Sequence, residues 1–87
     1  MNVGFDPPKR AATLAERGLD FADAGLIFEG DTVTFQDTRV QYGEQRFITA
    51  GYLRDRFVVT VWTPRRGKRH TISMRHGHGK EERIYFP

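Results

Sequence analysis

Cysteine is absent from this chain of 87 residues, so neither a disulfide framework nor a cysteine-based zinc site can hold it together. Tryptophan occurs once and methionine twice. A core must therefore come from seven Phe, three Tyr and the aliphatic residues, near the lower size limit for a self-sufficient fold. A single domain over 1–87 is expected. No apolar run approaches the roughly 18 residues that a membrane span needs. The amino terminus carries no positive-then-apolar pattern, and the expectation is a cytoplasmic protein without membrane contact. Repeats, low-complexity tracts and internal linkers are missing as well.

Charge is present but unevenly placed. Residues 1–53 hold five Lys/Arg against eight Asp/Glu, a net −3, whereas residues 54–87 hold nine against three, a net +6. The overall +3 hides that division. A basic carboxyl half points to a polyanionic partner, or else to a soluble surface that happens to be basic.

Asn2–Phe5 reads as a short strand. Asp6 is an N-cap with Pro7 at the first helical position, where a missing N–H costs nothing. That helix runs to about Arg17, with Ala11, Leu14 and Ala15 on one face, and Gly18 stops it. Asp20 caps a second helix whose apolar face is Phe21, Ala24, Ile27 and Phe28, ending by Gly30. From Thr32 the apolar period changes to two. Thr32–Phe35 is a brief strand, and residues 37–44 form a polar loop that holds Tyr42-Gly43. Gln45–Leu53 and Arg56–Thr63 are stronger strands joined by a two-residue hairpin at Arg54-Asp55.

In the second of these, Phe57, Val59 and Val61 share one face and Val58, Thr60 and Trp62 the other, as in a central strand covered on both sides. Residues 64–68 form a turn, and Arg69–Arg75 returns as a strand. Strict alternation there puts His70, Ile72 and Met74 opposite Arg69, Thr71, Ser73 and Arg75. A short charged helix closes the chain. The order β-α-α-β-β-β-β-α implies an α+β fold: a small antiparallel sheet with two N-terminal helices on one face and a short C-terminal helix, the helices packed on one side.

The stretch from Ile72 to Pro87 holds the densest chemistry. Arg75 stands where a strand gives out, two glycines and two histidines follow, and Lys80, Glu81, Arg83 and Tyr85 lie on the final helix. An arginine facing such a helix can hold a phosphate and have a proton moved beside it.

The chain resembles the BrnT-family toxins of bacterial type II toxin–antitoxin systems along nearly its whole length. Phe5-Asp-Pro-Pro-Lys9 is similar to the family's aromatic-Asp-x-x-Lys opening. Arg17-Gly-Leu-Asp-Phe21 resembles its His-Gly-Val-x-Phe junction, with Arg for the usual His. Glu44-Gln-Arg46 followed by Gly51 resembles its Glu-x-Arg…Gly signature, and Ile72-Ser-Met-Arg75 with Lys80-Glu81…Tyr85 its closing block. The departures are His76-Gly-His-Gly79, where small or basic residues are usual, and Glu82, where a basic residue is common. The resemblance implies a fold similar to the RelE/ParE toxins and a ribonuclease activity. It also implies a BrnA-like antitoxin, in a hetero-oligomer such as a 2:2 complex, through which alone the pair contacts operator DNA.

Cofactor-free RNA cleavage needs a base for the 2′-hydroxyl, an acid for the departing 5′-oxygen and cations around the phosphate. Arg75, with its two-pronged guanidinium, is assigned to the transition state, with a salt bridge to Glu81 as its alternative. Glu81 is a proton shuttle or an orienting group for Arg75, or simply an acidic residue in a first helical turn. Lys9 and Lys80 join the catalytic set, neutralising the backbone or lowering the barrier electrostatically, or are surface lysines. Tyr85 stacks on a base or caps the core, and Arg83 contacts RNA.

Arg65, Arg66, Lys68 and Arg69 form a phosphate-contacting turn, or a charged hairpin tip that discourages edge aggregation. Glu44 and Arg46 read as a structural ion pair. His76 and His78 suit acid–base work by type, or form an exposed loop. With no third and fourth ligand beyond His70, no metal site is assigned. The competing function is a non-enzymatic toxin or co-repressor subunit that binds a protein target.

Overall fold

The computed structural model describes residues 2–39, 41 and 43–87, so the expected loop residue Tyr42 lies outside the described residues. The chain forms β1 (Val3–Phe5), α1 (Pro7–Arg17), a 3-10 turn (Phe21–Asp23), α2 (Ala24–Glu29) and β2 (Val33–Gln36). It continues through β3 (Phe47–Leu53), β4 (Arg56–Arg65), β5 (Lys68–His76) and α3 (Gly79–Tyr85). The fold is α+β, with five strands in the order β1-β5-β4-β3-β2.

Strands β2 to β5 are an antiparallel meander, but β1 pairs with β5 in parallel, Val3 beside Arg69 and Phe5 beside Thr71. The expectation of a wholly antiparallel sheet is thus overturned. Its cause lies in α1, which continues the direction of β1 along β5 and ends where Arg17 Nη1 donates to the Met74 carbonyl at 2.9 Å. An antiparallel β1 would have to enter from the end of β5 that α1 already occupies.

The caps are as the sequence implies. The Asp6 carboxylate accepts from the Lys9 N–H at 3.3 Å, and Gly18 closes α1 with φ +68°. Asp20, however, caps a 3-10 turn rather than a full helix, accepting from the Ala22 N–H at 2.9 Å, and α2 begins at Ala24. The apolar face of α1 is also not buried: Ala11, Leu14 and Ala15 are all exposed. Polar ties hold α1 instead, chiefly the Arg10–Asp20 ion pair at 2.7 Å.

The central strand β4 is covered on both sides, as expected. On one side Leu19, Phe21, Ala24 and Ile27 pack on Leu53, Val58 and Met74. On the other, Ile48, Ala50, Phe57 and Val59 are joined by Tyr52, Val61, Tyr85 and Phe86. The C-terminal helix therefore lies on the face opposite α1 and α2, which corrects the expectation of helices on one side. The chain passes beneath Phe57 at Gly77, where a Cβ would stand 2.3 Å from the ring. Only a glycine permits that crossing.

The second correction concerns β5. Val61 pairs with Ser73 and Trp62 with Thr71, so Ile72 is the extra residue of a β-bulge. Directly opposed residues share a face. Thr71 joins Trp62, and Met74 joins Thr60, on the α1/α2 side, while Ser73 and Arg75 join Val61 and Val59 on the α3 side. The bulge therefore separates Thr71 from Arg75, which strict alternation would have left together, and aims Arg75 at α3.

Candidate functional site

The α3 face of the sheet is only partly covered. Helix α3 has seven residues, roughly 10 Å of length, against a β4 of ten residues, roughly 33 Å. It shields the end of the face around Phe57 and Tyr52, and two cross-strand rows run alongside it. One row is Val33-Ala50-Val59-Arg75 and the next is Phe35-Ile48-Val61-Ser73. They form a groove of about 530 Å³, floored by Ile48, Val59 and Val61 and rimmed by Arg75, Glu81, Tyr85, Phe35 and the Asp37–Arg39 segment.

At one end of the groove Arg75 meets Glu81 in a two-pronged contact, Nη1 to Oε1 at 2.8 Å and Nη2 to Oε2 at 2.7 Å. The pair is half open, the side chains being 45% and 22% exposed. Hydrogen bonding to Glu81 raises the Arg75 pKa against the cost of burial, and the charge of nearby Arg39 works the other way. The same bonds from Arg75 hold the Glu81 carboxyl below its usual range, with help from the His78 backbone N–H. Glu81 stands three residues after His78, the N-cap of α3, among the acidic side chains of the helix's first turn. Glu81 thus fixes Arg75 from the first turn of α3.

Tyr85, from the last turn of α3, stacks on Phe35 of β2 with ring centroids 5.8 Å apart and planes 17° from parallel. It also lies 6.2 Å from Phe57. The groove thus has a guanidinium at one end, an aromatic pair at the other and an apolar floor between.

A family model described as "Ribonuclease toxin, BrnT, of type II toxin-antitoxin system" matches residues 5–81. The chain belongs to this family. No curated protein matches it. The matched span includes Arg75 and Glu81 and stops short of Tyr85.

The structure gathers some of the expected site residues and disperses others. Arg75, Glu81 and Tyr85 share the groove, whereas Lys9, Lys80, Arg83, His76 and His78 are not among its lining residues. Lys9 stands in the field of His70, whose pKa is pushed down first by burial and then by Arg65. Lys80 and Arg83 are exposed on α3. His76 Nε2 lies 3.1 Å from the Arg17 carbonyl, a contact that requires the hydrogen on Nε2, and His76 therefore ties β5 to the end of α1.

Arg65, Arg66 and Lys68 line a smaller cavity with His70, Gly4 and Phe5 at the far end of β5. Lys68 and Arg75 are seven positions apart, roughly 20 Å along the strand. Arg69 leaves this set: its guanidinium lies 4.1 Å from the Phe28 ring centre and 5.3 Å from that of Trp62, on the α1/α2 side. Glu44 approaches Arg46 at 3.7 Å and Arg65 at 3.3 Å, so the expected ion pair also ties the loop before β3 to the end of β4.

Sequence reasoning missed Phe35, Ser73, Asp37 and Arg39. Arg39 bonds Asp37 through Nε at 2.8 Å and Nη2 at 2.9 Å, on a carboxylate whose side chain is only 1% exposed. A buried aspartate paired with an arginine two residues on is a loop-ordering signal, but nothing in its spacing places it beside Arg75.

Proposed function

We propose that this chain is the ribonuclease toxin of a type II module and that the groove beside Arg75 is where RNA is cut. The observation that carries the reading is the two-pronged Arg75–Glu81 contact at the edge of an open groove. A guanidinium that fits a carboxylate at two points fits two phosphate oxygens equally well. Binding exchanges one for the other: Arg75 turns its fork to the phosphate and releases Glu81. Freed of the arginine's hydrogen bonds, the carboxylate regains basicity and accepts the proton of the 2′-hydroxyl.

The 2′-oxygen then bonds to phosphorus as the bond to the 5′-oxygen breaks, leaving a cyclic phosphate. The departing 5′-oxygen takes its proton from Lys80 or His78, which precede Glu81 at the start of α3. Arg75 stabilises the charge gathered on the phosphate, usually the largest contribution in such sites. Lys9, Arg83 and the Arg65-Arg66-Lys68 tip neutralise RNA backbone further out.

The chemistry assigned needs no metal. Among the described residues no three His, Asp or Glu side chains stand together as a metal site, and no helix is long and apolar enough to cross a membrane. In this reading the toxin has a RelE/ParE-like ancestry and acts in the cytoplasm. A BrnA-like antitoxin restrains it, and the two repress their operon together. The decisive experiment measures cleavage of RNA by the purified toxin in excess EDTA, with Arg75→Ala beside it. Cleavage that survives chelation and disappears with Arg75 supports the proposal. Cleavage restored only by added zinc, or intact in Arg75→Ala at an unchanged melting temperature, overturns it.

A further inference from the structure

The apolar end of the groove has no task in the chemistry of Arg75 and Glu81, yet it is built with some care. Phe35 is a large aromatic residue, 41% exposed, on the edge strand β2. An exposed aromatic on an edge strand invites aggregation. Its ring is nevertheless held in place: one side lies along Tyr85 at 5.8 Å, and its strand position pairs with Ile48. Phe35 and Arg75 stand at opposite ends of one groove, three strands apart, roughly 14 Å between strand axes. Between them the floor is mainly apolar (Ile48, Val59, Val61), with the Ser73 hydroxyl on its β5 side. The volume, about 530 Å³, lies in the range that accommodates a nucleotide-sized ligand.

We infer that Phe35, backed by Tyr85, is a stacking platform for an unpaired RNA base next to the phosphate that Arg75 holds. The inference rests on the RNA-cutting role proposed above and adds to it a substrate requirement, single-stranded RNA. A base inside an A-form helix has both faces covered by its neighbours, so a duplex cannot present a face to Phe35. Stacking accepts any base, because every base has a π-face. The platform therefore selects for strand state and only weakly for sequence. An apolar floor under the base adds to this, since it rejects water without demanding a particular hydrogen-bonding edge.

The test compares Phe35→Leu, Phe35→Ala and Phe35→Trp with Arg75→Ala, by fluorescence anisotropy on a labelled single-stranded RNA oligonucleotide and on its duplex. Melting temperatures are recorded for each variant. Phe35→Leu keeps apolar bulk on β2 and guards against the chance that the alanine variant misfolds. The expected result is that Phe35→Leu weakens single-strand binding by roughly five- to a hundredfold and Phe35→Trp does not. Duplex binding stays put in all three.

The salt dependence separates this inference from the one beneath it. A lost stacking contact leaves the slope of log affinity against log salt unchanged, whereas loss of a phosphate contact at Arg75 lowers it by about 0.7. Arg75→Ala with an unaltered slope and full cleavage removes the RNA site itself. A normal Arg75 effect with wild-type single-strand binding in Phe35→Leu removes only the platform. If Phe35→Leu spares RNA binding but loses a protein partner, the ring belongs to a protein interface and the inference is overturned.

Discussion

The Tyr52 hydroxyl donates to Glu82 Oε2 at 2.6 Å, joining the middle of the sheet to the helix that rims the groove. The Glu82 carboxylate is the acceptor for this hydroxyl, and a basic side chain at position 82 could not accept that hydrogen. The neighbouring rings of Tyr52 and Phe86, 5.3 Å apart, complete the attachment. The pair raises the Tyr52 pKa, first through the hydrogen bond to Glu82, because the bond favours the protonated phenol.

Tyr52→Phe and Glu82→Ala should therefore each loosen α3, and the double variant should lose less stability than the two losses added together. Urea unfolding of all four proteins measures this coupling. Additive losses would mean that the contact does not hold α3 on the sheet.

Position 77 tests the same attachment from the backbone side. An alanine Cβ there would meet Phe57 at 2.3 Å and Glu81 Oε1 at 2.9 Å, so Gly77→Ala must push the chain off the Phe57 ring. The expected cost is about 1–3 kcal/mol of unfolding free energy, and Phe57→Leu should recover part of it in the double variant. A Gly77→Ala protein as stable as the parent would show that the crossing is not tight.

The Arg10–Asp20 pair sets an acid limit. Asp20 is lowered from 3.8 to about 2, mainly by the Arg10 hydrogen bond and then by the Ala22 N–H. Because the folded value is the lower one, the unfolded chain binds the extra proton in between, and stability falls as pH drops through that interval. The contribution is complete above the unfolded value and gone below about 2. Thermal melts of the parent and Asp20→Asn from pH 5 downwards should converge at the acid end. Parallel curves would detach the pair from acid stability.

Much of the scaffold was legible because it depends on short-range rules. Asp6, Pro7 and Gly18 bound α1 through cap chemistry, and Phe57, Val59 and Val61 declare a strand by period two. Three features lie beyond such rules. The parallel seat of β1 depends on where α1 ends, a long-range fact. The bulge at Ile72 carries no glycine or other local mark, yet it decides which side chains accompany Arg75. The groove depends on α3 choosing the face opposite α1, which Gly77 permits but does not announce. Arg75, Glu81 and Tyr85 were found because they lie within one stretch. Phe35 and Arg39 were missed because they reach the same place from a different strand and loop.

The charged tip offers a test of how far the RNA extends. Arg66 and Lys68 lie at the far end of β5, and Arg65 is shared with Glu44. Replacing all three by alanine should weaken RNA binding and flatten its salt slope by roughly one to two, fewer than three phosphates' worth because Arg65 is partly spent. The effect should vanish on an oligonucleotide too short to span from the groove to the tip. An unchanged slope on long RNA would leave the tip as a guard against edge pairing.

Glu81 is where the geometry makes its most particular demand. It closes the Arg75 fork in the resting protein, with contacts of 2.8 and 2.7 Å, and it is also the residue assigned the proton of the 2′-hydroxyl. These two duties pull RNA affinity and cleavage rate in opposite directions. Removing the carboxylate charge frees Arg75 for phosphate, so Glu81→Gln should bind RNA at least as tightly as the parent. It also removes the proton acceptor, and a positioned base is worth roughly 10²–10⁴-fold, so single-turnover cleavage should fall by about that much. Glutamine keeps the side chain's size and one oxygen for Arg75, so α3 should remain seated, which a melting curve checks. Glu81→Ala removes the Arg75 contact altogether and should add a stability loss to the same kinetic defect. A variant that binds RNA more weakly and cuts the bound RNA at the parent rate would reverse the assignment: Glu81 would then position Arg75 and the proton would leave by another group.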